Sequence, residues 1–263
     1  MYRFSKSILF LFFIISSFYT TLNADKLQDI KNKGYVTIGV KEDFEPFGFI
    51  NKNGKLDGFD HDLARYIASY LNVRLELKIV NSKNRILKLK NNEVDIVIAS
   101  MTHTIQRDKE VDYSISYYFD GLSILTTKYI KINHHFGFNG KKVGVIRGSS
   151  AAKTFKQKVR KAQIIRFNNY KEALDSIAVG KIDAISTDSI WCKLQAKKSN
   201  GKLRVLKKLL SHEPYGIAIK ENESNLLDQL NFAIQSSVND GTYIELYKKW
   251  FHENPSILPE TWE

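Results

Sequence analysis

The sequence predicts an α/β fold with two similar lobes. Strand-like and helix-like patterns alternate along almost the whole chain, in the order β-α-β-α-β between residues 35 and 99. This order indicates a parallel sheet covered by helices. The chain contains more strand patterns than one compact sheet comfortably uses, and its 263 residues are enough for two lobes of ordinary size.

The first series of elements runs from Tyr35 to Ala99. Strands are predicted over 35–40, 73–80 and 94–99, and helices over 60–72 and 84–90. The first of these helices has the clearest pattern, because its apolar residues share one face and its first turn is acidic. That apolar face consists of Leu63, Ala64, Ile67, Ala68 and Leu71.

A second series follows residue 118. Strands are predicted over 122–128, 142–147, 163–167, 182–186, 203–207 and 215–219, and helices over 149–161, 170–179, 188–197 and 222–238. Gly241 ends the last of these helices. Thr242 and Glu245 form a capping-box pattern, which predicts a final helix through Trp250.

The N-terminus has the pattern of a secretory signal peptide. Arg3 and Lys6 precede an apolar core over 8–15, and polar and small residues follow up to Ala24. This core is too short to span a bilayer stably. We expect a signal peptide over 1–24 that is cleaved after Ala24, with an uncleaved N-terminal anchor as the alternative. A lipoprotein is not expected, because no cysteine lies near this position.

The composition limits the class of partner. The formal net charge is +12, and removal of the two basic residues of the predicted signal segment leaves +10. Such an excess can attract nucleic acid or anionic membrane. The lysines are scattered over many elements and form no basic arm, so we expect no nucleic-acid partner. The single cysteine, Cys192, permits no internal disulfide, and an exported chain must then rely on its apolar core.

The segment ASMTHTIQR, residues 99–107, is the strongest candidate for a site. Ser100, Thr102 and Arg107 follow the carboxyl end of a buried strand, which is where open α/β sheets bind ligands. Hydroxyl and guanidinium groups together suit a carboxylate held by a forked ion pair. The alternative is a loop whose arginine makes a surface ion pair.

Three further candidates follow strands of the second series. Ser149 and Ser150 open a helix, where backbone N–H groups attract an anion. Asp188 follows another buried strand. An ordinary strand–helix turn is the alternative for the two serines, and a helix N-cap is the alternative for Asp188.

Six segments of the chain resemble the family 3 solute-binding proteins, the periplasmic receptors for polar amino acids that serve ABC importers. They are IGVKEDFEPFGFINKNGKLDGFDHDLARYIA (38–68), NRILKLKNNEVDIVIASMTHTIQRDKEVDYSISYY (84–118), KKVGVIRGSS (141–150), KIDAISTDS (181–189), EPYGIAI (213–219) and DGTYIELYKKWF (240–251). The segments follow the family's order over nearly the whole predicted mature chain.

The resemblance implies a periplasmic-binding-protein fold in which each lobe is a mostly parallel sheet flanked by helices. Two chain crossings, near 126–128 and 211–214, would form a hinge. The first lobe would then comprise 25–126 and 213–263, and the second 127–212. The implied partners are a free amino acid and the ABC importer permease in the inner membrane. We expect a monomer that uses no cofactor and no metal.

The resemblance also implies roles for the candidates that would hold the amino-acid backbone. Arg107 matches the arginine that binds the α-carboxylate, and Thr102 matches a hydroxyl-bearing position that contacts the same group. Ser150 matches a position that bonds this carboxylate from the second lobe. The backbone carbonyl of Ser100 and the carboxylate of Asp188 match the groups that accept from the α-ammonium.

Three residues bear on the ligand's side chain. Phe44 matches an aromatic residue that packs on it, with core packing as the alternative. Lys41 stands where members selective for basic side chains tend to carry an aspartate. Arg85 resembles an arginine that contacts a side-chain carboxylate in some glutamate/aspartate-binding members, although relatives that bind neutral ligands also carry one. We therefore expect an acidic (Glu/Asp) or small polar neutral (Gln, Cys) ligand.

Other functions are possible on the same fold. A sensor would present its ligand to a chemoreceptor or kinase, and an enzyme such as a dehydratase would need a poised acid or base in the cleft. The six histidines have neither metal-ligand spacing nor a triad pattern. We therefore expect a binding protein rather than an enzyme.

Overall fold

The computed structural model describes residues 25–261, so the predicted signal peptide at 1–24 lies outside the described residues. The helices are α1 (Lys26–Lys33), α2 (Phe59–Tyr70), α3 (Arg85–Lys90), α4 (Ala151–Lys158), α5 (Tyr170–Ala178), α6 (Ser189–Lys198), α7 (Ser224–Asn239) and α8 (Thr242–Phe251). The strands are β1 (Tyr35–Val40), β2 (Asp43–Phe44), β3 (Gly48–Ile50), β4 (Leu56–Asp57), β5 (Arg74–Ile79), β6 (Ile96–Val97), β7 (Asp112–Asp120), β8 (Leu122–Thr127), β9 (Lys142–Ile146), β10 (Gln163–Phe167), β11 (Ala184–Asp188), β12 (Leu203–Val205) and β13 (Glu213–Ile219).

Two five-stranded sheets form the centres of the two predicted lobes. The first has the order β5-β1-β6-β13-β7, and the second has the order β10-β9-β11-β8-β12. Four strands of each sheet run in one direction; β13 in the first sheet and β8 in the second run the opposite way. The two-lobed α/β fold with mostly parallel sheets is therefore confirmed. A small antiparallel sheet, β2-β3-β4, joins the first lobe.

The first chain crossing differs from its predicted position. Strand β7 belongs to the first sheet and ends at Asp120, whereas β8 begins at Leu122 and pairs with β11 and β12 of the second sheet. The crossing is therefore at Gly121, and residues 122–126 belong to the second lobe rather than the first. The sequence hides this boundary because the two strands follow each other with only one residue between them.

The return crossing lies just before β13. The backbone N–H of Leu210 donates to the carbonyl of Leu122 at 2.7 Å, which is still a contact within the second lobe. Glu213 then begins β13, where it pairs with Asp120 of β7, the edge strand of the first sheet. The first lobe thus comprises 25–120 and 213–261, and the second comprises 122–212.

Several local elements also differ from the sequence prediction. Helix α1 and strand β7 were not predicted, and strand β6 is limited to Ile96 and Val97. The capping box of α8 is not formed, because Gly241 occupies the N-cap position and Asp240 Oδ1 accepts from the backbone N–H of Thr242 at 2.8 Å. The predicted apolar face of α2 is confirmed, since all five of its residues are buried.

An aromatic cluster around Phe59 attaches the C-terminal helix to the first lobe. Phe59 opens α2, is fully buried, and has ring contacts that extend from β7 to α8. Its partners are Phe47, Tyr117, Tyr118, Tyr243, Tyr247 and Phe251, at centroid distances from 5.2 to 6.3 Å. This packing holds α8 against the first lobe. Among residues 25–261, no helix has the length and apolar character needed to cross a membrane.

Truncation of Phe59 should measurably destabilise the first lobe. We expect Phe59→Ala to lower the free energy of unfolding by about 3–5 kcal/mol, because it leaves a cavity among six rings. Phe119→Ala is the matched control, since Phe119 is 40% exposed, and should change it by less than about 1 kcal/mol. Urea unfolding followed by tryptophan fluorescence measures both; equal losses would contradict the assigned role of the cluster.

Candidate functional site

The candidate residues lie where parallel strands of both sheets end. Strand β1 ends directly before Lys41, and β6 leads into the segment 100–107. In the second lobe, β9 leads into Gly148–Ser150 and β11 ends at Asp188. Because the carboxyl ends of parallel strands share one edge of a sheet, each lobe gathers its candidates on one side. The two sides face each other across a cleft.

Ser100 is fixed by a buried carboxylate beneath the strand end. Its hydroxyl donates to Asp60 Oδ2 at 2.9 Å, and the Tyr117 hydroxyl donates to Asp60 Oδ1 at the same distance. Burial raises the pKa of Asp60, and the two hydroxyl donors act against this shift. Ser100 has a φ of +46°, an unusual backbone for a residue other than glycine, so the side-chain bonds hold the chain in a strained turn.

Arg107 links the two lobes. Its Nη1 donates to the carbonyl of Thr102 at 2.7 Å, and its Nη2 donates to the carbonyl of Gly148 in the second lobe at 2.9 Å. The side chain is 9% exposed. Arg107 makes no ion pair with a carboxylate of residues 25–261. The surface ion pair considered as an alternative is therefore not formed.

The turn before α4 brings the second lobe close to the first. Gly148 has a φ of +79°, and a Cβ at this position would lie 2.2 Å from the carbonyl oxygen of Ser82. Ser150 occupies the N-cap position of α4, but its hydroxyl makes no capping bond and instead donates to Glu213 Oε2 at 2.9 Å. Ser149 donates to the carbonyl of Ile146 at 2.7 Å.

Asp188 occupies the N-cap position of α6 but does not cap it. One carboxylate oxygen accepts from the hydroxyl of Tyr215, which lies on β13 of the first lobe, and the other accepts from Thr187 Oγ1 at 2.9 Å. Burial, followed by the charge of Asp188, raises the pKa of the Tyr215 phenol, so it remains a proton donor. The acidic candidate is thus held by neutral donors from both lobes.

Lys41 and Phe44 meet an aromatic residue of the second lobe. The ammonium of Lys41 lies 4.1 Å from the centroid of the Phe44 ring and 5.9 Å from that of Tyr170. The two rings are 4.9 Å apart. Burial, with the charge of Arg85 as the second cause, lowers the pKa of Lys41 to about 8. Phe44 therefore packs both in the core of its own lobe and across the cleft.

Arg85 is also buried and points toward the end of β6. Its Nη1 donates to the carbonyl of Ala99 at 2.6 Å and more weakly to that of Ser100 at 3.4 Å. Its Nε is buried and has no hydrogen-bond partner. Burial, followed by the charge of Arg107, lowers the pKa of Arg85 to about 10. The two guanidinium groups are therefore near enough to repel each other.

The candidates form two adjoining groups. Thr102, Arg107, Ser149 and Ser150 line a groove of about 580 Å³ at the margin of the cleft. The remaining candidates are also buried but do not line this groove: Lys41, Phe44, Arg85, Ser100 and Asp188. Within residues 25–261 no group of three or more histidine, cysteine, aspartate or glutamate side chains is arranged to hold a metal ion.

Four residues of the site were not identified from the sequence: Asp60, Tyr170, Glu213 and Tyr215. Each acts by contacting a candidate that is distant along the chain, as Glu213 does with Ser150. Asp60 had been interpreted only as an acidic residue in the first turn of a helix. An acidic residue in the first turn of an amphipathic helix was the available signal, but its partners, Ser100 after β6 and Tyr117 on β7, could not be identified from spacing.

Comparison with known proteins gives a consistent result. Residues 36–253 match the family described as bacterial extracellular solute-binding proteins, family 3. The chain is 36% identical over 238 residues to the ABC transporter glutamine-binding protein GlnH of Bacillus subtilis (strain 168), covering 88% of this chain and 86% of that protein.

Two solved structures extend this likeness to the fold. An ancestral arginine-binding protein bound to glutamine has a TM-score of 0.80 and 37% identity, over 84% of this chain and 99% of that chain. The ancestral amino acid-binding protein AncCDT-1, a precursor of cyclohexadienyl dehydratase, has a TM-score of 0.81 and 35% identity, over 86% of this chain and 99% of that chain.

Proposed function

Because the chain belongs to the bacterial extracellular solute-binding proteins of family 3, we propose that it is an extracytoplasmic receptor for a free polar amino acid. It binds this ligand between its two lobes and delivers it to an ABC importer through the permease of the inner membrane. Its location is the periplasm, reached by a cleaved signal peptide and without a lipid anchor. The ligand is acidic or is a small polar neutral amino acid.

The observation that supports this proposal best is the position of Arg107. Its guanidinium is buried between the lobes and donates to a backbone carbonyl of each. A buried charge without a counter-charge is unfavourable, and the two carbonyl contacts leave other N–H groups of the five available. The α-carboxylate of an amino acid supplies the missing charge and can accept from two of these groups at once.

The other backbone contacts follow from the same placement. Thr102, Ser149 and Ser150 adjoin Arg107 and contribute hydroxyl or backbone N–H donors to the α-carboxylate. Asp188 accepts from the α-ammonium, and the carbonyl of Ser100 accepts from the same group. The carboxylate and ammonium of one ligand therefore engage both lobes, and they favour the closed arrangement over an open one.

The side chain of the ligand lies toward the candidates that do not line the groove. Phe44 packs against it from the first lobe, while Lys41 and Arg85 face its polar end. Both cations repel a basic side chain, which is why lysine and arginine are excluded from the proposed ligands.

Two alternative functions remain distinct from transport. A sensor that presents its ligand to a chemoreceptor or kinase uses the same closed form. A dehydratase is suggested by the likeness to AncCDT-1. His103, the histidine within the candidate segment, lines the groove beside Thr102. Its ring bonds Asp108 at 2.5 Å and stacks on Tyr113. Recovery of the bound ligand unchanged separates a receptor from an enzyme.

Loss of the Arg107 guanidinium should remove most of the affinity. We expect Arg107→Ala to weaken binding of the preferred amino acid at least about 100-fold, because two charge-assisted bonds contribute about 3 kcal/mol or more. Arg65→Ala is the matched control: the Arg65 side chain is half exposed and pairs with Asp62, a residue outside the site. Isothermal titration calorimetry with the twenty amino acids measures both. Unchanged affinity in Arg107→Ala would remove its role, and wild-type protein that binds no amino acid would refute the receptor function.

Closure should depend on the absence of a side chain at Gly148. We expect Gly148→Ala to lower ligand affinity at least about tenfold, because the added methyl group meets the Ser82 carbonyl of the opposite lobe. Gly180→Ala is the control, since Gly180 has a similar φ of +73° but open space around it. Calorimetry and small-angle X-ray scattering with saturating ligand compare the two variants. Equal affinity losses would mean that backbone strain, and not lobe contact, is responsible.

A further inference from the structure

Three cationic side chains are buried at the cleft without a carboxylate partner. Lys41, Arg85 and Arg107 are 3%, 2% and 9% exposed. None of them makes an ion pair within the described part of the chain. Burial lowers the pKa values of Lys41 and Arg85, and repulsion lowers them further, between Arg85 and Lys41 and between Arg107 and Arg85.

The nearby carboxylates are already engaged by neutral groups. Asp60 accepts from the hydroxyls of Ser100 and Tyr117. Asp188 accepts from the hydroxyls of Tyr215 and Thr187. These bonds hold both acids in place but leave the three cations without direct counter-charges.

The backbone of an amino acid compensates only one of these cations. Its α-carboxylate pairs with Arg107 in the proposed function, on which the present inference rests, and its α-ammonium adds a further positive charge beside Asp188. Lys41 and Arg85 then still lack an anion. We propose that the ligand is an amino acid whose side chain ends in a carboxylate, and that Lys41 and Arg85 together bind this second carboxylate.

The surroundings of Lys41 offer donors and aromatic faces. Its ammonium lies beside the paired rings of Phe44 and Tyr170, one from each lobe, at 4.1 Å from the first centroid and 5.9 Å from the second. This contact is favourable to a cation, and the ammonium of Lys41 makes no hydrogen bond to a side-chain or backbone oxygen of residues 25–261. Arg85, whose charge is near enough to lower the pKa of Lys41, has an unpaired Nε and is held at Nη1 by the carbonyls of Ala99 and Ser100.

A surface of donors discriminates between an acid and its amide. A carboxylate accepts from both Lys41 and Arg85. The side-chain amide of glutamine or asparagine has one accepting oxygen, but its NH2 group would face further donors and lose its own hydrogen bonds. Leaving such polar groups unpaired in a buried site rejects the wrong ligand strongly. The site therefore selects a dicarboxylic amino acid over its amide, although the two have nearly the same shape.

Calorimetry of the wild-type protein with matched ligand pairs tests this proposal directly. The pairs are L-glutamate with L-glutamine and L-aspartate with L-asparagine. We expect one acid to bind at least about 100-fold more tightly than its own amide. An amide, a cationic amino acid or cystine that binds as tightly as the preferred acid would overturn the inference and leave the receptor function standing. Absence of binding by every amino acid would instead refute the receptor function.

A neutral side chain at position 41 tests the part played by the lysine. Lys41→Met keeps the length of the side chain, and we expect it to lower affinity for the acid at least about tenfold while the amide changes less than about threefold. Lys171→Met is the control for net charge, because Lys171 lies on the surface of α5 with its side chain 84% exposed; it should leave both affinities unchanged. Equal losses for acid and amide in Lys41→Met would assign Lys41 a positioning role only and overturn its part in the proposal.

The affinity ratio of acid to amide should also depend on pH. Burial and Arg85 lower the pKa of Lys41 to about 8, while Asp188, Asp43 and Asp60 oppose this shift. Raising the pH through 8 removes the ammonium proton in the ligand-free site, so the carboxylate loses its partner. The glutamate-to-glutamine ratio should fall about tenfold between pH 7 and pH 9.

The α-ammonium of glutamate and that of glutamine both titrate in this range. Their effect on affinity cancels when the affinity for glutamate is divided by the affinity for glutamine. The ratio should be independent of pH in Lys41→Met, whose side chain does not titrate. This measurement needs only wild-type protein for its main result, so it stands even if the variant folds poorly. A constant affinity ratio in the wild type would show that the charge of Lys41 does not distinguish glutamate from glutamine.

Discussion

Arg107 lies where the two lobes meet, and its desolvation sets the conditions for the rest of the site. A guanidinium removed from water needs hydrogen-bond acceptors in its plane. The first lobe supplies the carbonyl of Thr102, and the second supplies that of Gly148. Neither lobe alone satisfies this group, so its contacts favour the closed arrangement. In the proposed function, the ligand carboxylate adds the missing charge and stabilises the same arrangement, so that binding is coupled to closure.

The hydrogen bonds beneath the cleft hold two carboxylates without pairing them to the nearby cations. Asp60 and Asp188 are each held by two hydroxyl groups. Burial raises the pKa of Tyr117 and Tyr215, and the adjacent carboxylates raise these values further, so both phenols stay protonated and keep donating. Paired directly to the cations, the two acids would cancel the positive field of the cleft. Held by neutral donors, they fix the strand ends while Lys41, Arg85 and Arg107 remain available to an anion.

The sequence predicts the positions of the site better than its contacts. Buried strands have recognisable apolar runs, and their carboxyl ends in a parallel sheet adjoin one another, so Ser100 and Asp188 could be placed from local pattern alone. Lys41 was identified only through the family resemblance. The crossing at Gly121 could not, because β7 continues into β8 as one extended run. Tyr215 and Tyr170 were not predicted for another reason. Each contacts a residue of the opposite lobe, Asp188 and Phe44 respectively, and spacing along the chain carries no information about such pairs.

Selectivity must come from the part of the cleft that does not touch the amino-acid backbone. The groups proposed for the α-carboxylate and α-ammonium meet atoms that every amino acid carries, so they cannot distinguish one from another. In the proposed function, the part that differs between ligands, the side chain, lies near Lys41, Phe44, Arg85 and Tyr170. There the protein offers two cations and two rings and leaves the Nε of Arg85 unpaired. A site that measured size alone would accept an acid and its amide equally, because the two are nearly isosteric. A carboxylate only accepts hydrogen bonds, whereas an amide also donates them, and this difference separates the two ligands. In the proposed function, the buried lysine thus makes a general amino-acid site selective for the charge of the ligand's side chain.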